Sequence, residues 1–534
     1  MKGSHLKLLA LLLLSPSVLF SQATSAWVFF GDDGVLHYAT DNRGNRIMDF
    51  SSAGYMGGGV ALPDATVPVQ LVLDPSGGDD TATIQAAIDA VSTLPLVDGF
   101  RGTILLNPGQ FTISSPLKIS TSGVVVSGSG SGDGGTVIAL TDNGSGFNGF
   151  DISGTGSYVS GSKVAIIDLY LPAGTNTLTV EDASGFAVGD NVLINRPVTQ
   201  EWVHFMGMDT LVRNGQSQTW IPVGHQITTD RTITAIAGNT ITLDVPITDS
   251  FDSVYLGIPV GTVAKYNFPG RISQVGVEHL MIQAPQGTTV YSAIVMDNIV
   301  DGWILDIVGQ ETMNAFEIGG RAKRIILDTV FNNVTVQQTN SAASTVFTVT
   351  GTQVLVNNCQ ANSLGIWPFV TGSTGTGPAV VLNFSTTENH PLEPHQRWYT
   401  GLLTDNGFLQ SGVSYINRRT AGSGHGWAIG WATAWNVVGG RFVVSAAPGT
   451  ESWCIGCIGN MGSNPPDPDG IFDSLGAVVT PASLYLEQLC ERMGPDAAAN
   501  IGYPGVCGPA SQNWARRSLT SSGSIGRSYR PARK

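Results

Sequence analysis

Charge is scarce in this chain. Asp, Glu, Lys and Arg make up 12% of its 534 residues, and the balance is acidic, with 40 carboxylates against 26 bases and a formal net charge of −14. An acidic exterior argues against nonspecific nucleic-acid binding, which needs a basic footprint. Only 8% of residues are aromatic and only 8 are histidine. Beyond the N-terminus no apolar run is long enough to span a bilayer. The glycines around Gly57-Gly58-Gly59 are not followed by Lys-Ser or Lys-Thr, so they form no phosphate-cradling loop. Cysteines number five. The pair Cys454-Ile455-Gly456-Cys457 lacks a second pair or neighbouring histidines, which leaves zinc and redox chemistry unsupported. Asp297, Asp301 and Asp306 match no calcium-loop spacing and read as turn caps, so no cofactor is indicated, although Ca2+ is compatible with the composition.

What is abundant is glycine, 67 residues, together with short β-branched runs ending in polar turn residues. Val277–Ile282, Ile325–Val330 and Val354–Cys359 are of this kind, spaced as stacked coils would be. Lys2 and Lys7 precede the apolar run Leu8 to Leu14, and small residues follow at 21–26. This reads as a secretory signal peptide cleaved after Ala23 or Ala26, so the mature protein is expected to be secreted, extracellular and free of membrane contact. Secretion makes disulfides the default, and Cys490 with Cys507 is the preferred bridge, closing a loop beside a helix at Leu484–Leu489. Residues 511–534 carry Arg516, Arg517, Arg527, Arg530, Arg533 and Lys534 among Ser, Gly and Pro, the texture of a disordered basic tail.

The order at 79–113 identifies the architecture. Behind an Asp80/Thr81 N-cap, Ile84, Ile88 and Val91 recur at helical spacing, and a strand broken by Pro108-Gly109 follows. This order resembles the N-terminal cap and first coils of pectate-lyase-superfamily proteins. The resemblance implies an all-β, right-handed parallel β-helix with an N-terminal capping helix. Between 170 and 250 the texture changes to alternating strands and a hairpin turning at Gly238-Asn239, the mark of an inserted antiparallel β excursion. The expected division is a signal peptide (1–26), an N-terminal arm (27–78), cap helix and first coils (79–169), the insert (170–250), main coils bearing the active-site face (251–475), a C-terminal helix and disulfide loop (476–510) and the basic tail (511–534). A monomer is expected.

Because charge is scarce, its concentration between 388 and 431 is informative. Eliminating a sugar next to a carboxylate needs a base for the adjacent proton and a cation for the carboxylate. His395 or His425 fits the base, and Arg397 and Arg418 fit the clamp, since guanidinium grips carboxylate bidentately. Gln396, Trp398, Tyr399 and Trp427, with Trp202 and His204 from the insert, are candidate sugar contacts. Gly424-His425-Gly426-Trp427-Ala428-Ile429-Gly430 resembles the Gly-His-Gly strand of polygalacturonases, with Asp405 where that family places paired aspartates. Asn406 stands in place of the second aspartate. The resulting expectation is a lyase acting by β-elimination on an extracellular uronate-containing polysaccharide. The alternatives are an inverting hydrolase drawing on Asp405, Glu388 or Glu393, and a noncatalytic glycan-binding solenoid.

Overall fold

The computed structural model describes residues 22–64, 66–288, 290–337 and 344–509. The leader up to residue 21 and the basic tail lie outside the described residues. Strand accounts for 44% and helix for 9%. The chain is a parallel β-helix in which each full coil contributes a strand to each of three sheets. The first sheet stacks Gly102–Leu106, Val124–Ser127, Lys323–Asp328, Thr352–Asn357, Thr376–Leu382 and Tyr399–Asp405, and continues to Ile471–Asp473. The second includes Gly109–Ile113, Thr136–Leu140, Phe331–Val334 and Gln360–Ser363. The third runs from Leu117–Ile119 through Asn148–Ser153, Ser292–Asp297 and Thr345–Val349 to Trp367–Thr371. Ile272–Gln283 and Ile299–Gln310 span the first two sheets in one bent strand each.

The corner between the first and second sheets repeats one conformation. His279, Asp306, Thr329, Asn358, Asn383, Asn406, Asn436, Gly456 and Ser474 follow residues paired in successive coils, and all have φ between +47° and +67°. The left-handed region costs a non-glycine residue roughly 1–2 kcal/mol, least for Asn and Asp. It is offset by continuity of the ladder: the amides of Thr329, Asn358, Asn383, Asn406, Asn436 and Gly456 each donate to the carbonyl of the preceding position in the next coil, at 2.9–3.1 Å. Asn406 Nδ2 also donates to Asn383 Oδ1 (2.8 Å), a side-chain rung between coils.

Inward residues from all three sheets form one continuous apolar core, and the helix Thr81–Ser92 closes its end with Ile84, Ala87, Ile88 and Val91. The N-cap differs from expectation. Asp80 makes no side-chain bond to the helix and instead accepts from the amides of Ser76 and Thr112, while Asp79 takes the Thr81 amide. The outward side of the first sheet is apolar too. Trp303, Ile326, Leu355, Val380, Leu403 and Trp435 are buried under the N-terminal arm and the helix Leu484–Met493. Cys490 and Cys507 form a disulfide beside this helix, whereas Cys359, Cys454 and Cys457 are buried free thiols.

The insert is larger than the alternation suggested. Its six-stranded antiparallel sheet begins at Val159–Ile166 and ends at Gly261–Asn267, two strands that pair with each other at its root. The first of these is exposed along most of its length and so shows little apolar alternation. The insert leaves after a strand of the third sheet and returns into the first. It is pinned by Arg231, which is fully buried and donates to Thr352 Oγ1 and Gly377 O, and by Asp230, which pairs with Lys323 at 2.8 Å and Arg271 at 3.0 Å.

Asp405 illustrates how the covering layer changes a residue's role. It ends its first-sheet strand pointing outward, beneath the C-terminal helix, where its Oδ2 accepts from Ser483 Oγ (2.6 Å) and the Tyr485 amide (2.8 Å). It is 0% exposed, and burial pushes its carboxyl up to about 7 from 3.8. The folded state therefore holds this proton more tightly than the unfolded chain, so its stabilising effect is complete below about pH 4 and is lost as pH rises toward 7. Asp405→Asn keeps an acceptor without the buried charge and is expected to flatten the melting temperature over that interval. Asp405→Ala is expected to cost about 1–3 kcal/mol in denaturant unfolding.

The N-terminal arm has its own electrostatic pin. His279 bonds Asp306 (3.1 Å) and Asp64 of the arm (3.0 Å) through its two ring nitrogens. Asp64, Glu278 and His279 also stand close enough to share a cation. Burial disfavours the imidazolium, but the bonds to Asp306 and Asp64 outweigh it and lift its pKa to about 9. Its contribution is then full below pH 6.5 and disappears as pH rises through 9. Asp64→Asn should lower the melting temperature at neutral pH and leave it unchanged above pH 9.

Candidate active site

The site lies on the corner where the third sheet turns into the first, in the two coils after Trp367–Thr371. Backbone bonds stack these connections: the His395 amide donates to Thr371 O, the Arg397 amide to His425 O and the Arg418 amide to Gly426 O. The first two bonds join segments 24 and 28 residues apart in sequence, and the third closes the loop that carries His425. The imidazoles of His395 and His425 meet edge to face with centroids 4.8 Å apart. Arg397 Nη2 bonds Ser423 Oγ (2.6 Å). Arg418 donates from Nη1 to His395 O (2.8 Å) and pairs through Nε with Glu393 Oε1 (3.0 Å).

The backbone here is unusual. Arg397 (φ +56°) and Trp398 (φ +64°) are consecutive non-glycine residues in the left-handed region. Such strain costs of order 1–3 kcal/mol per residue and persists only where surrounding structure over-determines it. Gly426 (φ +58°) is required sterically, since a Cβ there would lie 2.4 Å from Trp220.

Burial, reinforced by the neighbouring cations, sets the protonation state of the histidines. His425 is 9% exposed, and burial, followed by the charges of Arg418, the neighbouring His395, Arg397 and Arg213, lowers its pKa to about 4. His395 is half-buried and moves the same way, through burial and then Arg418 and Arg397. Both rings are therefore neutral at ordinary pH, each with a lone pair. Burial pushes the Glu393 carboxyl up, against the pull of Arg418.

Of the residues singled out from sequence, His395, Arg397, Arg418 and His425 come together, with Gln396 half-buried between two of them. Asp405 does not join them, because it caps the C-terminal helix. Trp398, Tyr399, Trp427 and Trp202 are 1%, 0%, 3% and 3% exposed and offer no face to a sugar. Tyr399 points into the core, its hydroxyl on Gly351 O. Trp398, Trp427 and Trp202 join the insert to the coils: Trp398 Nε1 donates to Asp249 (2.8 Å), Trp427 Nε1 to Met206 O (3.1 Å), and Trp202 meets Trp398 edge to face with centroids 5.7 Å apart. His204 is exposed and paired with Asp209 at 2.7 Å.

Two site residues escaped the sequence reading. Trp367 is half-exposed, its ring 4.4 Å from that of His390 and 5.7 Å from the Arg418 guanidinium, and it is the aromatic surface beside the cluster. It lies outside the charged window, so composition alone gave no signal. Arg213 sits on a hairpin of the insert, Val212–Arg213 paired with Gln216–Ser217, and its Nη1 donates to Gly422 O. The Asn214-Gly215 turn is a hairpin signal legible in the sequence.

No family model matches the chain, and no curated protein matches it in sequence. Among solved structures it is similar to the tailspike protein gp49 of Pseudomonas phage LKA1, at 11% identity, TM-score 0.38, covering 75% of this chain and 70% of that one. It is also similar to the tailspike of E. coli bacteriophage HK620 in complex with a pentasaccharide, at 10% identity and TM-score 0.39, covering 78% of this chain and 65% of that one. A third is the A-module of the Azotobacter vinelandii mannuronan C-5 epimerase AlgE6, at 11% identity and TM-score 0.31, covering 81% and 99%.

Proposed function

We propose that this protein is a carbohydrate-active enzyme that cleaves an acidic polysaccharide by β-elimination at the His395–His425 cluster. The observation that carries the reading is a pair of neutral imidazoles held among guanidinium groups. A uronate carboxylate docked on Arg397 and Arg418 has its charge offset, which makes the adjacent ring proton acidic enough to remove. His395, the more accessible imidazole, takes that proton. The C–H electron pair forms the new ring double bond, and the glycosidic C–O bond breaks. The departing oxygen then recovers a proton from the imidazolium. The carboxylate also offsets the field that holds the histidines neutral, so substrate binding strengthens the base it needs. Trp367 supplies the apolar face for a sugar ring.

The hydrolytic alternative needs two carboxyl groups across the scissile bond. Among the described residues, Glu393 is the carboxylate bonded within the cluster, and Asp405 is committed to the C-terminal helix.

The test is incubation with pectic, alginate, glucuronan and neutral glycans, following the ultraviolet absorbance of the unsaturated uronate product. Arg397→Ala should lose about a hundredfold in kcat/KM, roughly 3 kcal/mol, with folding intact. His395→Ala should lose a hundredfold or more. In the parent enzyme, kcat/KM should hold its value through pH 6.5, where an ordinary histidine protonates, and fall only at lower pH. New reducing ends without the absorbance would favour a hydrolase, and binding without either signal would favour a noncatalytic solenoid.

A further inference from the structure

The inserted sheet contributes a third cation to a site otherwise built from coils. Arg213 is exposed near the tip of its hairpin, turned by Asn214 (φ +53°) and Gly215 (φ +75°). Its guanidinium bonds a backbone carbonyl, Gly422 O, on the loop that carries Ser423 and His425, and its charge reaches the His425 ring. The packing is specific: a Cβ on Gly424 would lie 2.8 Å from Gln218, two residues beyond the hairpin's second strand's start.

The charges around the histidines do not balance. Arg213, Arg397 and Arg418 all act on the His425 ring, and among the described residues only Arg418 of the three makes an ion pair, with Glu393. Arg419 on the same loop is neutralised by Asp467 at 2.8 Å. Among the described residues, two of these three guanidinium groups therefore have no carboxylate partner, in a chain whose net charge is −14. One carboxylate clamped at Arg397 and Arg418 leaves Arg213 unanswered, and Arg213 enters from a separate element at the rim.

Resting on the elimination reading above, we propose that Arg213 binds a second anionic group, carried by the sugar adjacent to the one eliminated, so that the substrate is a polymer of consecutive acidic sugars rather than one with isolated uronates between neutral sugars. Arg213 is thus a specificity-determining residue, and the insert is part of the active site.

The experiment compares parent, Arg213→Ala and Arg213→Lys on three sets of oligosaccharides of equal length: consecutive uronides, alternating uronate and neutral sugars, and alternating uronate and sulfated sugars. Calorimetric Kd and initial-rate kinetics are both read. The parent should bind consecutive uronides about tenfold more tightly than the alternating neutral set. Arg213→Ala should erase that difference by raising KM and Kd for the consecutive set alone, with kcat within a few-fold and the alternating neutral set unchanged. Arg213→Lys should restore part of it. Tight, Arg213-dependent binding of the sulfated set but not of the consecutive uronides would assign the second anion to a sulfate ester. An Arg213→Ala variant that keeps the preference, or that weakens all three sets equally, overturns the proposal and leaves elimination standing. A parent that neither binds nor cleaves any acidic oligosaccharide overturns both.

Discussion

The structure depends on the amide that each left-handed corner residue donates to the next coil. A parallel stack is stable only if its hydrogen-bond ladder runs through the bend between sheets, since a buried amide left unpaired costs more than a bond made contributes. Turning the chain with one residue at φ near +50° keeps that amide aligned with the stacking direction. Thr329 accepts this conformation although its branched side chain is ill suited to it, which shows how strongly the ladder constrains the corner. The corner where the third sheet enters the first repeats a left-handed residue of its own, at Gln274, Asp301, Arg324 and Gln353. The connections that reach it nevertheless differ in length, from the antiparallel insert to the loops bearing His395 and His425.

Location of the site follows from which surfaces remain open. The outer side of the first sheet is apolar and is taken up by the N-terminal arm and the C-terminal helix. The corner between the first and second sheets is consumed by the ladder. What remains near the C-terminal coils is the third-sheet side and the corner beyond it, and the insert packs against that corner through Trp202, Trp220, Trp398 and Trp427. Trp367 stands beside the Arg418 guanidinium there, and the insert hairpin meets the loop bearing His425 through Arg213.

The parts of this arrangement legible in sequence were those set by local periodicity or by rarity. Ile84, Ile88 and Val91 marked the cap because helical spacing in an otherwise β-rich chain has one meaning. The runs ending in Asp328-Thr329 and Asn357-Asn358 marked strand ends because polar turn residues close a β-branched stretch there. The histidine and arginine window stood out because charge is rare elsewhere. Which outward residues are covered was not legible. Trp398 and Asp405 both alternate outward like solvent-facing residues, and only the distant segments at 249 and 483–485 bury them. Arg213 was missed for the same reason, since its neighbour Gly422 is 209 residues away.

The strained pair Arg397-Trp398 ties these layers together. Trp398 is held by its bond to Asp249, and Asp249 in turn accepts from Trp431 and stands 3.4 Å from the buried Arg196. That network belongs to the junction between insert and coils, so the strain at 397–398 is sustained by insert packing. The same backbone directs the Arg397 guanidinium to Ser423 Oγ at 2.6 Å. A buried aromatic thereby helps to fix the backbone that carries Arg397. The insert thus meets the histidine cluster twice, through Arg213 at Gly422 O and through Asp249 at the Trp398 indole.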